Sequence, residues 1–192
     1  MTVLTTDFEN LGDVKQQGWT QFLPGDSESG VEVTLSPESP QKGKYCLRLR
    51  ANNGSTLGGP ETPAVWVNSP ALNISPNDTI RVRLWVRARQ SSTKTNEFIA
   101  FDSAGGPGRA ERVHHDSDWK AVTWFRRVDR PQKFVITLAL MGPGEAFVDS
   151  LSVDVFPTTG SAPPGLMQMS DHQPNRRHAI SSSERGDVGS LR

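Results

Sequence analysis

The stretch that most restricts the fold is residues 79–89, where Ile80, Val82, Leu84, Val86 and Ala88 alternate with Arg81, Arg83, Trp85, Arg87 and Arg89. Successive side chains of a strand leave on opposite faces, so the pattern sends an apolar row toward a core and a row of guanidiniums and one indole toward water. The same period of two recurs along the chain. Val31, Val33 and Leu35 alternate with Glu32 and Thr34; Tyr45, Leu47 and Leu49 oppose Cys46, Arg48 and Arg50; Val65 and Val67 oppose Trp66. Further strands are expected over 96–102, 119–128, 134–141 and 145–155, with Gly, Pro, Asn, Asp and Ser between them. No segment carries a helical i, i+3, i+4, i+7 stripe, so helices are expected to be nearly absent. Many short strands with one wet face each predict an all-β, antiparallel sandwich.

After Phe156 the pattern stops. Residues 157–192 carry Pro157, Pro163-Pro164, Gly165 and Ser181-Ser182-Ser183 and few large apolar groups. Such a segment cannot bury enough surface to offset its ordering entropy, so a disordered tail over 157–192 is expected to follow a sandwich over 1–156. A domain of that size hides roughly 68–70% of its unfolded surface and can hold its own core.

Charge excludes some functions. Twenty-one Lys and Arg balance twenty-one Asp and Glu, a net charge of zero, so a strong electrostatic hold on nucleic acid or an anionic membrane is not expected. The single cysteine, Cys46, forms no intrachain disulfide. The N-terminus lacks the basic start and apolar run of a signal peptide, and no stretch approaches the roughly 18–20 apolar residues of a membrane span. No Gly-x-Ser-x-Gly, His-Glu-x-x-His, P-loop or Cys-x-x-Cys occurs. The adjacent His114 and His115 point apart in a strand and cannot share a metal. The chain reads as no enzyme, with a hydrolase that sets two carboxylates across a shallow cleft as the remaining alternative.

A series of short motifs falls in one order: Asp7-Phe8-Glu9, Gly18-Trp19, the strand Lys42-Gly43-Lys44-Tyr45-Cys46-Leu47-Arg48-Leu49, the Trp85-Val86-Arg87-Ala88 strand, Asp118-Trp119, and the closing Ala146-Phe147-Val148-Asp149-Ser150-Leu151. Over about residues 3–156 the series resembles the CenC-type carbohydrate-binding modules, jelly-roll sandwiches of the galactose-binding-like class. Ser150 stands where that family usually has a second Asp. Residues 101–112 also resemble a stretch found in sandwich modules of large secreted bacterial proteins, which implies an extracellular setting.

The resemblance implies weak recognition of a polysaccharide on a concave sheet. The outward side of the 79–89 strand then supplies the site: Trp85 as a platform for a sugar ring, with Arg81, Arg83 and Arg87 donating to hydroxyls or carboxylates. Trp66 has the parity of a second platform. Covering roughly 50 Å² of indole at about 25 cal/mol/Å² is worth on the order of 1 kcal/mol, so two platforms and a few hydrogen bonds suggest roughly −4 to −8 kcal/mol, millimolar to micromolar. The plainer reading is a solvated face with arginine stems lying on Trp85; a third is that the face packs on a neighbouring protein domain, as in an adhesive accessory module. The resemblance also implies a structural Ca²⁺ held by Glu9 and Asp149, with Asp7 a further ligand. The alternative is that Asp149, set among apolar residues, accepts backbone N–H bonds without a metal. Trp19 and Trp119 are expected to be structural, and the parity of Trp124 is ambiguous.

Overall fold

The computed structural model describes residues 1–22, 30–52, 63–90, 97–114 and 118–158. The expected tail, apart from Pro157 and Thr158, lies outside the described residues. Among the described residues thirteen strands form two main antiparallel sheets and one small one. The first sheet contains β1 (Thr2–Thr6), β3 (Val31–Ser36), β4 (Cys46–Ala51), β7 (Thr79–Gln90), β10 (Lys120–Arg127) and β13 (Gly144–Phe156), in the order β10-β7-β13-β4-β3, with β1 continuing beside β13. The second runs β2-β5-β12-β8-β9, from β2 (Thr20–Phe22), β5 (Val65–Asn68), β12 (Ile136–Leu140), β8 (Glu97–Asp102) and β9 (Glu111–His114). The small pair joins β6 (Leu72–Ile74) to β11 (Gln132–Phe134). Among the described residues helix is limited to α1 (Leu11–Gln16), started by the Asn10 side chain accepting from Gly12 N at 2.8 Å, and one 3₁₀ turn at Pro107–Arg109. None of it is long and apolar enough to cross a membrane.

The alternation read from the sequence is what joins the two main sheets. Ile80, Val82, Leu84 and Val86 of β7, with Leu47 and Leu49 of β4, face Val65, Val67, Phe98, Ile136, Leu138 and Leu140 of the other sheet. Each such side chain, once buried, contributes about 1.5–3 kcal/mol of transfer free energy. Trp19 is buried at one end, edge-on to Phe8 at 5.5 Å. Trp124, of ambiguous parity in the sequence, faces the core and donates from Nε1 to the buried Asp102 carboxylate at 2.8 Å. Asp102 also meets Arg126 Nε at 2.8 Å, an ion-pair contact whose N–H is not aligned for a hydrogen bond. This links β10 of one sheet to the end of β8 in the other.

Two expectations need correction. Tyr45 does not share the inward face of Leu47 and Leu49, because β4 begins at Cys46 and leaves Tyr45 exposed. In β13, an unbroken two-residue alternation would put Asp149 on the face of Phe147, Leu151 and Val153. The register slips between Asp149 and Ser152, and Ser150 takes φ 50°. This bulge inserts one residue and reverses the alternation: Phe147 and Asp149 point away from the core, whereas Leu151 and Val153 point into it.

The folded body closes on itself. β1 pairs with β13, Thr2 opposite Asp154, and the Met1 amino group donates to Val155 O at 2.8 Å.

Candidate functional site

The outer face of the six-stranded sheet divides into two parts. Over one part lies the connection from β3 to β4, residues 37–45, held down by side chains of the sheet. Arg87 Nη2 donates to Glu38 O at 2.7 Å and Trp119 Nε1 to Ser39 O at 3.0 Å. Asp149 Oδ2 accepts from Gln41 N and Lys42 N, both at 3.0 Å, and its Oδ1 from Ser150 N at 2.7 Å. Glu9 accepts from Lys44 N at 2.9 Å and from Tyr45 N at 3.4 Å. Gly43, at φ +73°, lies against Glu9 so closely that a Cβ would collide with its carboxylate. Beneath this strap Cys46, Phe147 and Asp149 are wholly buried although none points into the core. Burial raises the Cys46 thiol to about 11, and it raises the Asp149 carboxyl against the opposing pull of its amide donors.

The strap sets the role of Arg87. Its guanidinium stacks 4.5 Å from the Phe147 ring and 5.3 Å from Trp119, and burial depresses its pKa. It is an internal brace. Arg89 pairs with Glu38, Arg48 with Glu32 at 2.8 Å, and Arg50 with Glu145 at 3.5 Å. Past the strap the same face carries Trp85, half-buried opposite Ala121 and Asp149, then Arg83 and Arg81. Both arginines reach Asp154 Oδ2, Arg81 at 2.9 Å and Arg83 at 3.4 Å. A 2.6 Å hydrogen bond from the Thr2 hydroxyl, assisted by Arg81, holds the Asp154 carboxyl below the usual carboxylate range.

Asp7 and Glu9 line a cleft of about 310 Å³ beside the strap, with Thr5, Lys42, Gly43 and Ser150, whereas Asp149 is not among its lining residues. Asp149 is the most heavily bonded of the three. Asp149 accepts three peptide N–H groups and the Ser150 hydroxyl, Glu9 accepts two N–H groups, and Asp7 Oδ1 accepts from Glu9 N. Calcium requires six to eight oxygens. Among the described residues no group of three or more acidic, His or Cys side chains is placed to hold a metal. The trio as arranged does not fit a shared calcium ion.

On the opposite side of the sandwich, the outer face of the five-stranded sheet is built differently. Trp66, Ala139, Ile99 and Arg112 form a row across β5, β12, β8 and β9; Asn68, Thr137 and Phe101 form the next. Ile99 and Ala139 point away from the core yet are only 2% and 0% exposed, so neighbouring groups already cover both. Trp66 is half-buried. The Thr137 hydroxyl donates to Asn68 Oδ1 at 2.8 Å, Arg112 pairs with Glu97, and His114 Nδ1 lies 3.7 Å from Glu97. A partly exposed indole among polar side chains is a common element of a small-molecule or sugar site.

The chain was compared with known proteins. No family model matches the sequence, and no curated protein matches it. Solved structures do. The xylan-binding domain CBM22-1 of Paenibacillus barcinonensis Xyn10C superposes with a TM-score of 0.51 at 15% identity, covering 81% of this chain and 94% of that one. The C-terminal family 22 carbohydrate binding module of Clostridium thermocellum Xyn10B gives 0.52 at 16%, covering 80% and 94%. The CBM22-1-GH10 modules of C. thermocellum Xyn10B, complexed with xylohexaose, give 0.51 at 9%, covering 79% of this chain and 28% of that one.

The chain shares the β-sandwich fold of these solved modules.

Within this sandwich the residues expected to bind ligand do not lie on one face. Trp85, Arg81, Arg83 and Arg87 belong to β7 of the six-stranded sheet, whereas Trp66 belongs to β5 of the other. Both tryptophans point outward as their parity required. They point outward from different sheets, whose mean planes lie about 10 Å apart, and so toward opposite sides of the molecule. Arg87 is further separated by the strap. Ile99, Phe101, Asn68, Thr137 and Arg112 were not anticipated. One signal for them was present: Phe98-Ile99-Ala100-Phe101 is apolar without alternation, which a strand with one wet face does not need.

Proposed function

We propose that this chain is a non-catalytic module that recognises a neutral polysaccharide weakly on the outer face of its five-stranded sheet, with the Trp66 indole as the ring platform. The CenC-type resemblance belongs to this proposal as its finer part. The observation that carries it is the outward, half-buried Trp66 indole on a face that also carries Asn68, Thr137, Glu97 and Arg112. The apolar C–H face of a pyranose stacks on such an indole, and the polar side chains exchange hydrogen bonds with its hydroxyls. Two of the structurally similar proteins are a xylan-binding domain and a module pair complexed with xylohexaose, which supports a neutral, equatorially substituted glycan as the first ligand to try. We read the carboxylates of Asp149 and Glu9 as acting on peptide amides in the place where the resemblance puts calcium. A second reading, an accessory domain packed on a protein neighbour, draws on the exposed Phe125 and Phe156.

The test is retention of the full chain on xylan and cellulose, beside Trp66→Ala and Trp85→Ala. Wild type is expected to bind in the millimolar to micromolar range, and Trp66→Ala to lose roughly fivefold, the equivalent of about 1 kcal/mol. Trp85→Ala should bind these neutral chains as wild type does. A folded wild type that retains none of them removes the reading; loss in Trp85→Ala with Trp66→Ala intact moves the site to the opposite face.

A further inference from the structure

Charge is unevenly spread over the outer face of the six-stranded sheet. Around the strap three guanidiniums each have their own carboxylate: Arg48 with Glu32, Arg50 with Glu145, Arg89 with Glu38. Arg87 is buried between rings and bonded to a carbonyl. At the other end the pairing differs. Among the described residues Arg81 and Arg83 share the carboxylate of Asp154, and Arg127 reaches the neutral Asn77 side-chain oxygen at 3.4 Å. On the described strands of this end three guanidiniums thus face one carboxylate. The bend after β10 adds Asp129 and Arg130, one charge of each sign, and Asp7 and Glu9 lie beyond the far end of β1 at the strap. Arg83 is 49% exposed, and its one contact among the described residues is the 3.4 Å approach to Asp154.

The same end carries uncovered rings. Phe125, directly opposite Arg81 on β10, is 58% exposed, and Phe156 is 42% exposed with the Arg81 guanidinium 5.3 Å above its ring. Trp85 follows two positions from Arg83 on the same side of the strand. Arg81, Arg83 and Trp85 are thus spaced about 6.6–6.8 Å apart along one flat surface. The planar fork of a guanidinium meets a carboxylate through two parallel hydrogen bonds, and rings beside it cover C–H surface.

We propose that this patch is a second glycan site, separate from the Trp66 face, and that it takes a polysaccharide bearing carboxylates, a uronate chain. It rests on the reading of the protein as glycan-binding but not on Trp66. The favoured occupant follows from the surplus positive charge combined with a flat, open, aromatic surface; a neutral chain would leave Arg83 and Arg127 unanswered.

The test is binding of the full chain to polygalacturonate at low and at physiological ionic strength, in chelator so that the polymer does not gel. Poly-L-glutamate serves as an acidic polypeptide and xylan as a neutral chain. Wild type is expected to bind polygalacturonate, more weakly as salt rises. Arg83→Ala and Arg127→Ala should each lose about five- to tenfold. Arg83→Lys should recover only part, because an ammonium lacks the fork. Trp66→Ala should leave polygalacturonate binding unchanged. The proposal is overturned if folded wild type does not bind polygalacturonate at low salt, or if Arg83→Ala and Arg127→Ala bind it unchanged. It is overturned equally if poly-L-glutamate binds as tightly, which makes the partner an acidic protein. Absent xylan binding with polygalacturonate binding intact would remove the Trp66 reading and leave this one standing.

Discussion

The two outer faces of this sandwich are both rich in aromatic and charged side chains, and they use them in opposite ways. On the five-stranded sheet the apolar groups Trp66, Ala139 and Ile99 lie at the centre, and charged groups such as Arg112 and Glu97 stand at the border. On the six-stranded sheet a loop covers the apolar Phe147, and Arg87, Trp119, Asp149 and Glu9 hold that loop in place. Side-chain type alone does not separate recognition from construction; what each polar atom already touches does. A guanidinium bonded to a carbonyl and stacked between rings is spent. One sharing a carboxylate with a neighbour is not.

The sharpest way to break this contrast is to release the strap. Asp149→Ala leaves the peptide N–H groups of Gln41, Lys42 and Ser150 without their acceptor in a buried place, and an expected loss of about 2–4 kcal/mol follows. Denaturant unfolding would measure it. Xylan retention by the fraction that stays folded should not change. If the variant is as stable as wild type, the strap is not held by Asp149, and the covered face is as open to ligand as the other.

Acid sharpens the contrast within the six-stranded sheet. The pKa of Asp154 is depressed in the folded state, so its contribution is present above the unfolded value of about 3.9 and is lost as pH falls through the folded one. Asp149 has the opposite sign: burial raises its pKa, so protonation as pH falls through the raised value favours the folded state. Melting curves of Asp154→Asn against wild type should therefore converge below about pH 4 and separate above it. Curves that stay parallel would show that Arg81 and Thr2 do not stabilise the charged form.

The smallest expected effect is that of calcium. With Asp149 and Glu9 already accepting peptide hydrogens, chelator should leave the melting temperature where it was. A rise of several degrees on adding calcium would mean that the cation binds the folded form and displaces those donors, and the strap would then be a metal-held loop.

The sequence made the strands visible where one side was wet. The row from Ile80 to Ala88 lies in the core as its alternation required, because a two-residue period has only one way to sit on a half-buried sheet. Parity gave outwardness but not side: nothing in Trp66 or Trp85 says which sheet its strand joins. Ser150 reads as an ordinary strand residue, yet its positive φ reverses every side chain before it relative to those after. The strap was hidden for another reason. Its anchors are 35 or more residues from the amides they hold, Glu9 to Lys44 and Asp149 to Gln41, and long-range hydrogen bonds to backbone leave no local pattern.

The pairing of β1 with β13 has one more result. With Thr2 beside Asp154 and the Met1 amine on Val155 O, the folded body begins and finishes at the same corner. A body of that kind is a plug-in part. It can be set into a surface loop of a host protein without prying the host apart, and its own first and last residues can be joined by a short linker while the chain is cut open elsewhere.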